Sequence, residues 1–248
     1  MKISVLMPCY NEKKHIRDSL RRASSMLEES GFDYEIVVVD DGSTDGTGEK
    51  ASRIPDSHVK VVGYQPNMGK GYALMYGFRQ VTGDMVVFMD SDWEVAPSDI
   101  NSYMRVLADA DIAVGSKRHP QSVVNVPSAR RFLSYGFNAL AKLMTGVKVP
   151  DTQSGFKASR REALEKIFPL LSVRKYAFDL EFLTVATAFR MRIVDLPIQV
   201  HQSVLFSVRQ IVRMFVDMAG IAYRARILRW YQKNANNQRA KYKPIIRW

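Results

Sequence analysis

The chain has 248 residues, 46% of them hydrophobic, which is enough for one α/β domain with a real core plus a helical appendage. Its single cysteine, Cys9, excludes an internal disulfide framework, fitting either a reducing compartment or a small buried filler. The net charge of +11 favours phosphate-rich partners, but residues 1–110 hold 12 Lys+Arg against 17 Asp+Glu while residues 111–248 hold 24 against 8, so an acidic half precedes a basic one.

Lys2–Met7 reads as a buried strand, stopped by Pro8 and followed by Cys9-Tyr10-Asn11-Glu12, and a long amphipathic helix is predicted from Glu12 to Glu29. Ile3–Met7 is too short for a signal peptide and runs straight into a polar turn. Tyr34–Val39 is a second strand, ending in the acceptor-rich loop Asp40-Asp41-Gly42-Ser43-Thr44-Asp45-Gly46, which opens another helix. Further strands at Val59–Val62, Met85–Met89 and Ile112–Gly115 alternate with helical patterns around Gly71–Val81 and Ser98–Leu107, the βαβ rhythm of a mostly parallel sheet flanked by helices. Such sheets bind ligands at the carboxyl ends of their strands. Polar clusters at Tyr10-Asn11-Glu12, Asp40-Asp41 and Asp90-Ser91-Asp92 would meet in one crevice there.

Asp90 and Asp92 leave an apolar strand with one residue between them, and alternate strand residues share a face. Two carboxylates on one face repel unless a cation intervenes, and hard ions such as Mg²⁺ or Mn²⁺ prefer oxygen ligands and would in turn hold a diphosphate. A lone Asp-x-Asp reads instead as a helix cap and a solvated loop residue; the neighbouring strand-end clusters set this pair apart. Gly69-Lys70-Gly71 is not a Walker A loop, since Tyr64 and Gly71 stand where that motif needs Gly and Ser or Thr. A donor-side loop and a tight turn into the helix both remain open for Lys70.

Pro8-x-Tyr10-Asn11-Glu12, Val39-Asp40-Asp41-Gly42-Ser43-x-Asp45, Asn67-x-Gly69-Lys70-Gly71-x-Ala73 and Asp90-x-Asp92 follow one another in the order and spacing of family 2 glycosyltransferases. That family has the GT-A nucleotide-diphospho-sugar fold. Gly115-Ser116-Lys117-Arg118, Arg130-Arg131-x-x-x-Tyr135-Gly136-Phe137, Asp151-Thr152-Gln153-Ser154-Gly155-Phe156-Lys157 and Tyr176-Ala177-Phe178-Asp179-x-Glu181 resemble the dolichyl-phosphate hexose synthases, most of all the dolichyl-phosphate glucosyltransferases. The resemblance implies metal-dependent, inverting transfer of glucose or mannose from UDP-glucose or GDP-mannose to a polyprenyl or dolichyl phosphate. It places Pro8, Tyr10, Glu12, Val39 and Asp41 around the nucleoside, and Asp90, Ser91, Asp92 and Lys117 on the nucleotide sugar. Asp90, Asp92 and Glu94 become candidate ligands of Mg²⁺ or Mn²⁺, although Glu94 departs from the pattern.

Arg118, Arg130 and Arg131 become candidates for the acceptor phosphate, and Asp92, Arg130 and Asp151 for the catalytic set. Lys117 replaces the usual Arg, which weakens the case for bidentate phosphate binding there. Asp151 faces the sugar or a phosphate by resemblance, and a turn cap is its alternative. Asp179 and Glu181 fit either a site or structural pairing with arginines. A lipid monophosphate is already an anionic nucleophile, so positioning and leaving-group stabilisation would carry most of the catalysis. Competing readings are a transferase for a soluble or polysaccharide acceptor and a non-catalytic nucleotide-sugar-binding protein.

From Val204 to Lys233 the chain reads as a basic amphipathic helix, with Arg209, Arg213, Arg224, Arg226 and Arg229 among Phe206, Phe215, Ile227, Trp230 and Tyr231. No apolar run approaches the ~20 residues of a transmembrane span, so the pattern predicts a helix lying along an anionic membrane surface, and the resemblance implies a peripheral protein at the cytoplasmic face. Residues 1–203 would then form the transferase domain and 204–248 a membrane-associating tail. A second candidate surface helix is Ser128–Val147, and packing on the core is the alternative for both helices. No nucleic-acid partner is expected, because no recognised motif is present and the acidic strand ends would repel phosphates. Val200–Leu205 runs directly toward the basic helix where relatives carry a donor-closing basic loop, leaving His201 either as a substitute phosphate contact or as an incidental strand-end residue.

Overall fold

The structure, a computed structural model, describes residues 1–175, 177–201 and 208–241, with backbone alone at residues 129, 130, 132, 208, 209 and 239–241. In chain order the first half forms β1 (Lys2–Cys9), α1 (Ile16–Ser30), β2 (Asp33–Asp41), α2 (Thr47–Ser52), β3 (Val59–Tyr64), α3 (Lys70–Phe78), β4 (Met85–Phe88), β5 (Val95–Pro97) and α4 (Ile100–Val106). There follow β6 (Ile112–Ser116), β7 (Val123–Asn125), α5 (Ser128–Thr145), β8 (Lys157–Arg160), α6 (Arg161–Ile167), α7 (Phe178–Ala188), β9 (Ile193–His201), α8 (Val208–Ala222) and α9 (Trp230–Lys241).

One sheet runs β3-β2-β1-β4-β8-β6-β9-β5, with β7 added beside β9. The pairs around β1 are parallel, and β8 inserts antiparallel between β4 and β6. From β1 the chain moves outward to β2 and β3, then returns to the other side of β1 as β4. That reversal opens a crevice beyond the carboxyl ends of β1, β2 and β4, the usual ligand position in an open α/β sheet.

Period-two alternation sends the apolar run of each central strand to both faces. Leu6, Val37, Val39 and Phe88 enter a core shared with α3, α5, α7, α8 and α9, while Val5, Met7, Ile36 and Val38 enter another beneath α1 and α4. The expected strands and helices stand near their predicted positions, with three informative differences. The first helix begins at Ile16, because Asn11 is left-handed (φ 56°) and its amide and that of Glu12 donate to Ser43 Oγ and Thr47 Oγ1. The short strands β5, β7 and β8 have three or four residues and no sequence period long enough to announce them.

The expected single helix over 204–233 is instead α8, a π-helical turn at Tyr223–Ile227, and α9, separated by Arg229 at φ 49°. The turn brings Tyr231 inward, where its hydroxyl donates to the buried Glu181 at 2.6 Å. The expected boundary at 203/204 and residues 204–207 lie outside the described residues. Beyond it, Met214, Met218, Ile221, Tyr231 and Ala235 are buried in the same core as Phe137, Ala141 and Leu180.

Candidate active site

The β1 and β2 ends are tied together by short side chains. Beyond the Asn11 and Glu12 bonds, the Thr44 amide donates to Asn11 Oδ1 at 2.9 Å. Pro8 and Val39 sit opposite one another in the β1–β2 register and are buried, whereas Tyr10 is 46% exposed at the rim. Asp41 is turned inward: its carboxylate accepts from Tyr64 Oη at 2.7 Å, Asn67 Nδ2 at 2.9 Å, and the Met68 and Gly69 amides at 2.7 and 2.9 Å. It therefore shapes the loop that delivers Lys70. Gly42 permits this closure, since it has φ 72° and a Cβ there would lie 2.5 Å from the Asn67 nitrogen.

Lys70, the first residue of α3, reaches the strand-end pair. Its ammonium lies 2.5 and 2.8 Å from the two oxygens of Asp90, just beyond β4. Burial alone would lower the Lys70 ammonium, but Asp90 and Asp179 hold it above the ordinary lysine range. Burial and then repulsion from Asp90 push the Asp92 carboxyl up. Burial and then Asp92 do the same to Glu12, linking the β1 and β4 ends electrostatically. Asp92 accepts from the Glu94 amide at 3.0 Å, and the Glu94 carbonyl accepts from the His201 amide at 2.9 Å. Ser91 is buried, its carbonyl accepting from Ser19 Oγ.

Behind Asp90 stands Gly155, where a Cβ would collide with the Asp90 carboxylate and come within 3.2 Å of Lys70 Nζ. Two residues on, the buried Lys157 ammonium donates to the Ser154 carbonyl and, at 2.6 Å, to Asp179. Burial alone would raise Asp179, but Lys157 and Lys70 hold it below the ordinary carboxylate range. Sequence reasoning left Lys70 open and missed Lys157; the first was signalled only by a lysine opening a helix after Asn67-x-Gly69.

A second cluster lies at the β6 end. Asp151 is 1% exposed, accepts from the Lys117 and Gln153 amides at 3.1 Å each, and lies 3.4 Å from Arg118 Nη1. Arg118 also donates to the Ser134 carbonyl at 3.2 Å and stacks 4.7 Å over the Tyr135 ring. These are the contacts of the turn-cap alternative for Asp151, with a cation added. Arg131 is exposed and donates to the Val124 carbonyl at 3.4 Å, while the Arg130 side chain and Tyr176 lie outside the described residues. Glu181 takes the structural role, held by Arg224 at 3.0 Å, Tyr231 and the Val173 amide at 2.7 Å.

From this cluster an apolar groove of about 190 Å³ runs between α5 and α8, lined by Leu133, Ser134, Phe137, Gln153, Ile211 and Phe215 among others. Of its lining, Leu133 and Phe215 are 48% and 42% exposed. Among the described residues no helix is long and apolar enough to cross a membrane. None of them forms a group of three or more His, Cys, Asp or Glu fit for a metal ion. Asp90 and Asp92 offer the hard oxygens a divalent ion prefers, so such an ion would draw its remaining ligands from elsewhere.

Residues 4–168 match glycosyl transferase family 2. The chain is 33% identical over 223 residues to the dolichyl-phosphate beta-glucosyltransferase of Saccharomyces cerevisiae, spanning 81% of this chain and 67% of that protein. To the human dolichyl-phosphate beta-glucosyltransferase it is 32% identical over 214 residues, 79% of this chain and 66% of that one. Among solved structures, glucosyl-3-phosphoglycerate synthase from Mycobacterium tuberculosis with uridine diphosphate superposes with TM-score 0.64 at 23% identity, over 90% of this chain and 79% of that one. The same enzyme with Mn²⁺, UDP-glucose and phosphoglyceric acid gives 0.65 at 23% identity, over 90% and 78%. The fold is thus the GT-A fold, and the chain, a glycosyltransferase, belongs to glycosyl transferase family 2.

Proposed function

We propose that this chain transfers glucose, with inversion, from UDP-glucose to a dolichyl or other polyprenyl phosphate at the cytoplasmic face of a membrane. The observation that carries the reading is the apolar groove between α5 and α8, whose inner end meets Gln153 and the Ser134 carbonyl bound by Arg118. A polyprenyl chain fits that lining, and a phosphate at its head would arrive beside Arg118 and Lys117, with Arg130 and Arg131 on the first turn of α5. The relatives' names support glucose and dolichyl phosphate, and the solved structures' titles support a uridine donor.

In this reading Tyr10, Glu12, Pro8 and Val39 border the nucleoside, and Lys70 faces the diphosphate from the side of Asp90. Mg²⁺ or Mn²⁺ held by Asp90 and Asp92, with Glu94 as a further candidate, would supply charge neutralisation at the departing nucleoside diphosphate. The acceptor phosphate is its own nucleophile, so the chain's task is alignment of the two substrates and exclusion of water. In this reading Asp151 positions Arg118, a role that its buried contacts support.

Incubation with radiolabelled UDP-glucose or GDP-mannose and a short polyprenyl phosphate tests the reading. A labelled lipid with UDP-glucose is expected. Label in a water-soluble glycan, or transfer from GDP-mannose alone, would overturn the acceptor or the donor assignment respectively.

A further inference from the structure

A second cavity lies on the opposite flank of α8 from the acceptor groove. It has a volume of about 680 Å³ and is walled by Ser172–Lys175 and by α8 with its π-helical turn, where Arg174, Lys175, Arg213 and Arg224 line it. Arg224 is committed to Glu181 and to Tyr231, at 3.0 and 2.8 Å, and Arg174 lies 5.4 Å over the Tyr72 ring. Neither the Lys175 nor the Arg213 side chain makes a hydrogen bond or close ion pair among the described residues, although Arg213 acts electrostatically on Asp217, and both are exposed. One carboxylate, Asp217, lines the cavity. The wall is therefore cationic in excess.

Beside these cations stand Val212 and Val216, 56% and 66% exposed and part of the same lining. A pocket for a freely dissolved anion has no use for an apolar crest at its mouth. A lipid does, because its phosphate must sit among cations while its acyl chains stay level with apolar side chains. The other wall also communicates with the donor crevice: the Arg174 carbonyl accepts from the Gly71 and Tyr72 amides, at 2.9 and 3.3 Å, and the preceding residue Lys70 holds Asp90.

We infer that the cavity between Ser172–Lys175 and α8 binds the phosphate of an anionic membrane phospholipid, separately from the acceptor groove. The bound headgroup sets how α8 lies on the bilayer, so that the groove mouth opens into the lipid phase. The inference rests on the membrane reading proposed above and adds a defined partner to it.

Flotation of the full chain with vesicles of phosphatidylcholine, alone or with phosphatidylglycerol, tests the site in the Lys175→Gln/Arg213→Gln variant. The control is Arg21→Gln/Arg22→Gln on α1, which removes equal charge from the other face of the sheet. The cavity variant should lose tenfold or more of its affinity for phosphatidylglycerol vesicles, with phosphatidylcholine binding unchanged, and the control should lose less than threefold. Lys175→Gln alone should fall between. Equal losses in the two double variants would reduce the site to a diffuse basic field and overturn it, while wild-type binding left the membrane reading standing. Wild-type failure to bind any vesicle would overturn both. Saturable binding of glycerol 1-phosphate without vesicles, lost in the cavity variant, would reassign the site to a soluble phosphate.

Discussion

Lys70 and Asp90 form one unit, with the ammonium 2.5 Å from one carboxylate oxygen and 2.8 Å from the other. They come from different βα units and are joined because Asp41 folds the intervening loop inward. Lys70→Met would strip Asp90 of its cationic partner within the chain. A charge-assisted contact is typically worth about 1.5–3 kcal/mol, so kcat/KM for the nucleotide sugar should fall about 10- to 100-fold. Steady-state kinetics with a melting curve as fold control checks this, and unchanged kcat/KM would remove Lys70 from the donor site.

Asp92→Ala should cost more. The residue is the second oxygen donor of the strand-end pair, and loss of a group that holds a leaving-group metal raises the barrier by several kcal/mol, about 10³-fold in kcat. Removing a carboxylate that burial and Asp90 have already pushed up should leave the fold intact. Activity near wild type in chelator-treated buffer restored with Mg²⁺ would show that the metal is held elsewhere.

Gly155→Ala isolates geometry from charge. Its new methyl would meet the Asp90 carboxylate and lie 3.2 Å from Lys70 Nζ, so the ion pair must shift while no charge is lost. Misplacing an aligned group by about 1 Å can cost on the order of 10²-fold, and we expect at least a tenfold drop in kcat. Unchanged kinetics would mean that Asp90 tolerates another rotamer.

The buried pair Lys157–Asp179 predicts a pH dependence. Asp179 is held below the ordinary carboxylate range, so just below that range the folded chain binds fewer protons than the unfolded one. Its stabilisation is complete above the ordinary range and is lost as pH falls through the depressed value. Asp179→Asn strands a buried ammonium, a change of about 3–5 kcal/mol for broken buried pairs. Urea unfolding should therefore separate wild type and variant widely at neutral pH and converge as the pH falls below about 4. A pH-independent gap would contradict the assignment.

How far the sequence speaks can be read from individual residues. The β1, β2 and β4 strands are apolar runs ending in polar clusters, so their order and their polar ends were legible in the sequence. Lys70 was ambiguous because its role depends on Asp41 folding the loop between them, a contact made across the chain and invisible to local pattern. Lys157 sits on a four-residue antiparallel strand with no alternation to mark it, and its partner Asp179 fitted either a site or pairing with an arginine, so the lysine partner was not legible. The C-terminal helix was legible as basic and amphipathic, but the break at Arg229 follows from the buried Glu181–Tyr231 bond, which no spacing rule encodes.

That bond also decides how membrane attachment is best tested. Truncation before Val204 would remove Arg224 and Tyr231 and leave the carboxylate of Glu181, which is 0% exposed, without its cation, so lost vesicle binding would be inseparable from unfolding. Val212 and Val216 avoid this difficulty, being 56% and 66% exposed. Changing both to Ser removes apolar surface available for insertion and leaves every basic residue in place. Full burial of a valine side chain is worth about 1.5 kcal/mol, so partial insertion of two predicts about 1–2 kcal/mol, a 5- to 30-fold weaker partition. The loss should persist at high salt, where the electrostatic attraction of Arg213 and its neighbours is screened. Liposome co-sedimentation at low and high salt measures it, and full retention of salt-resistant binding would place the membrane contact on a face other than α8.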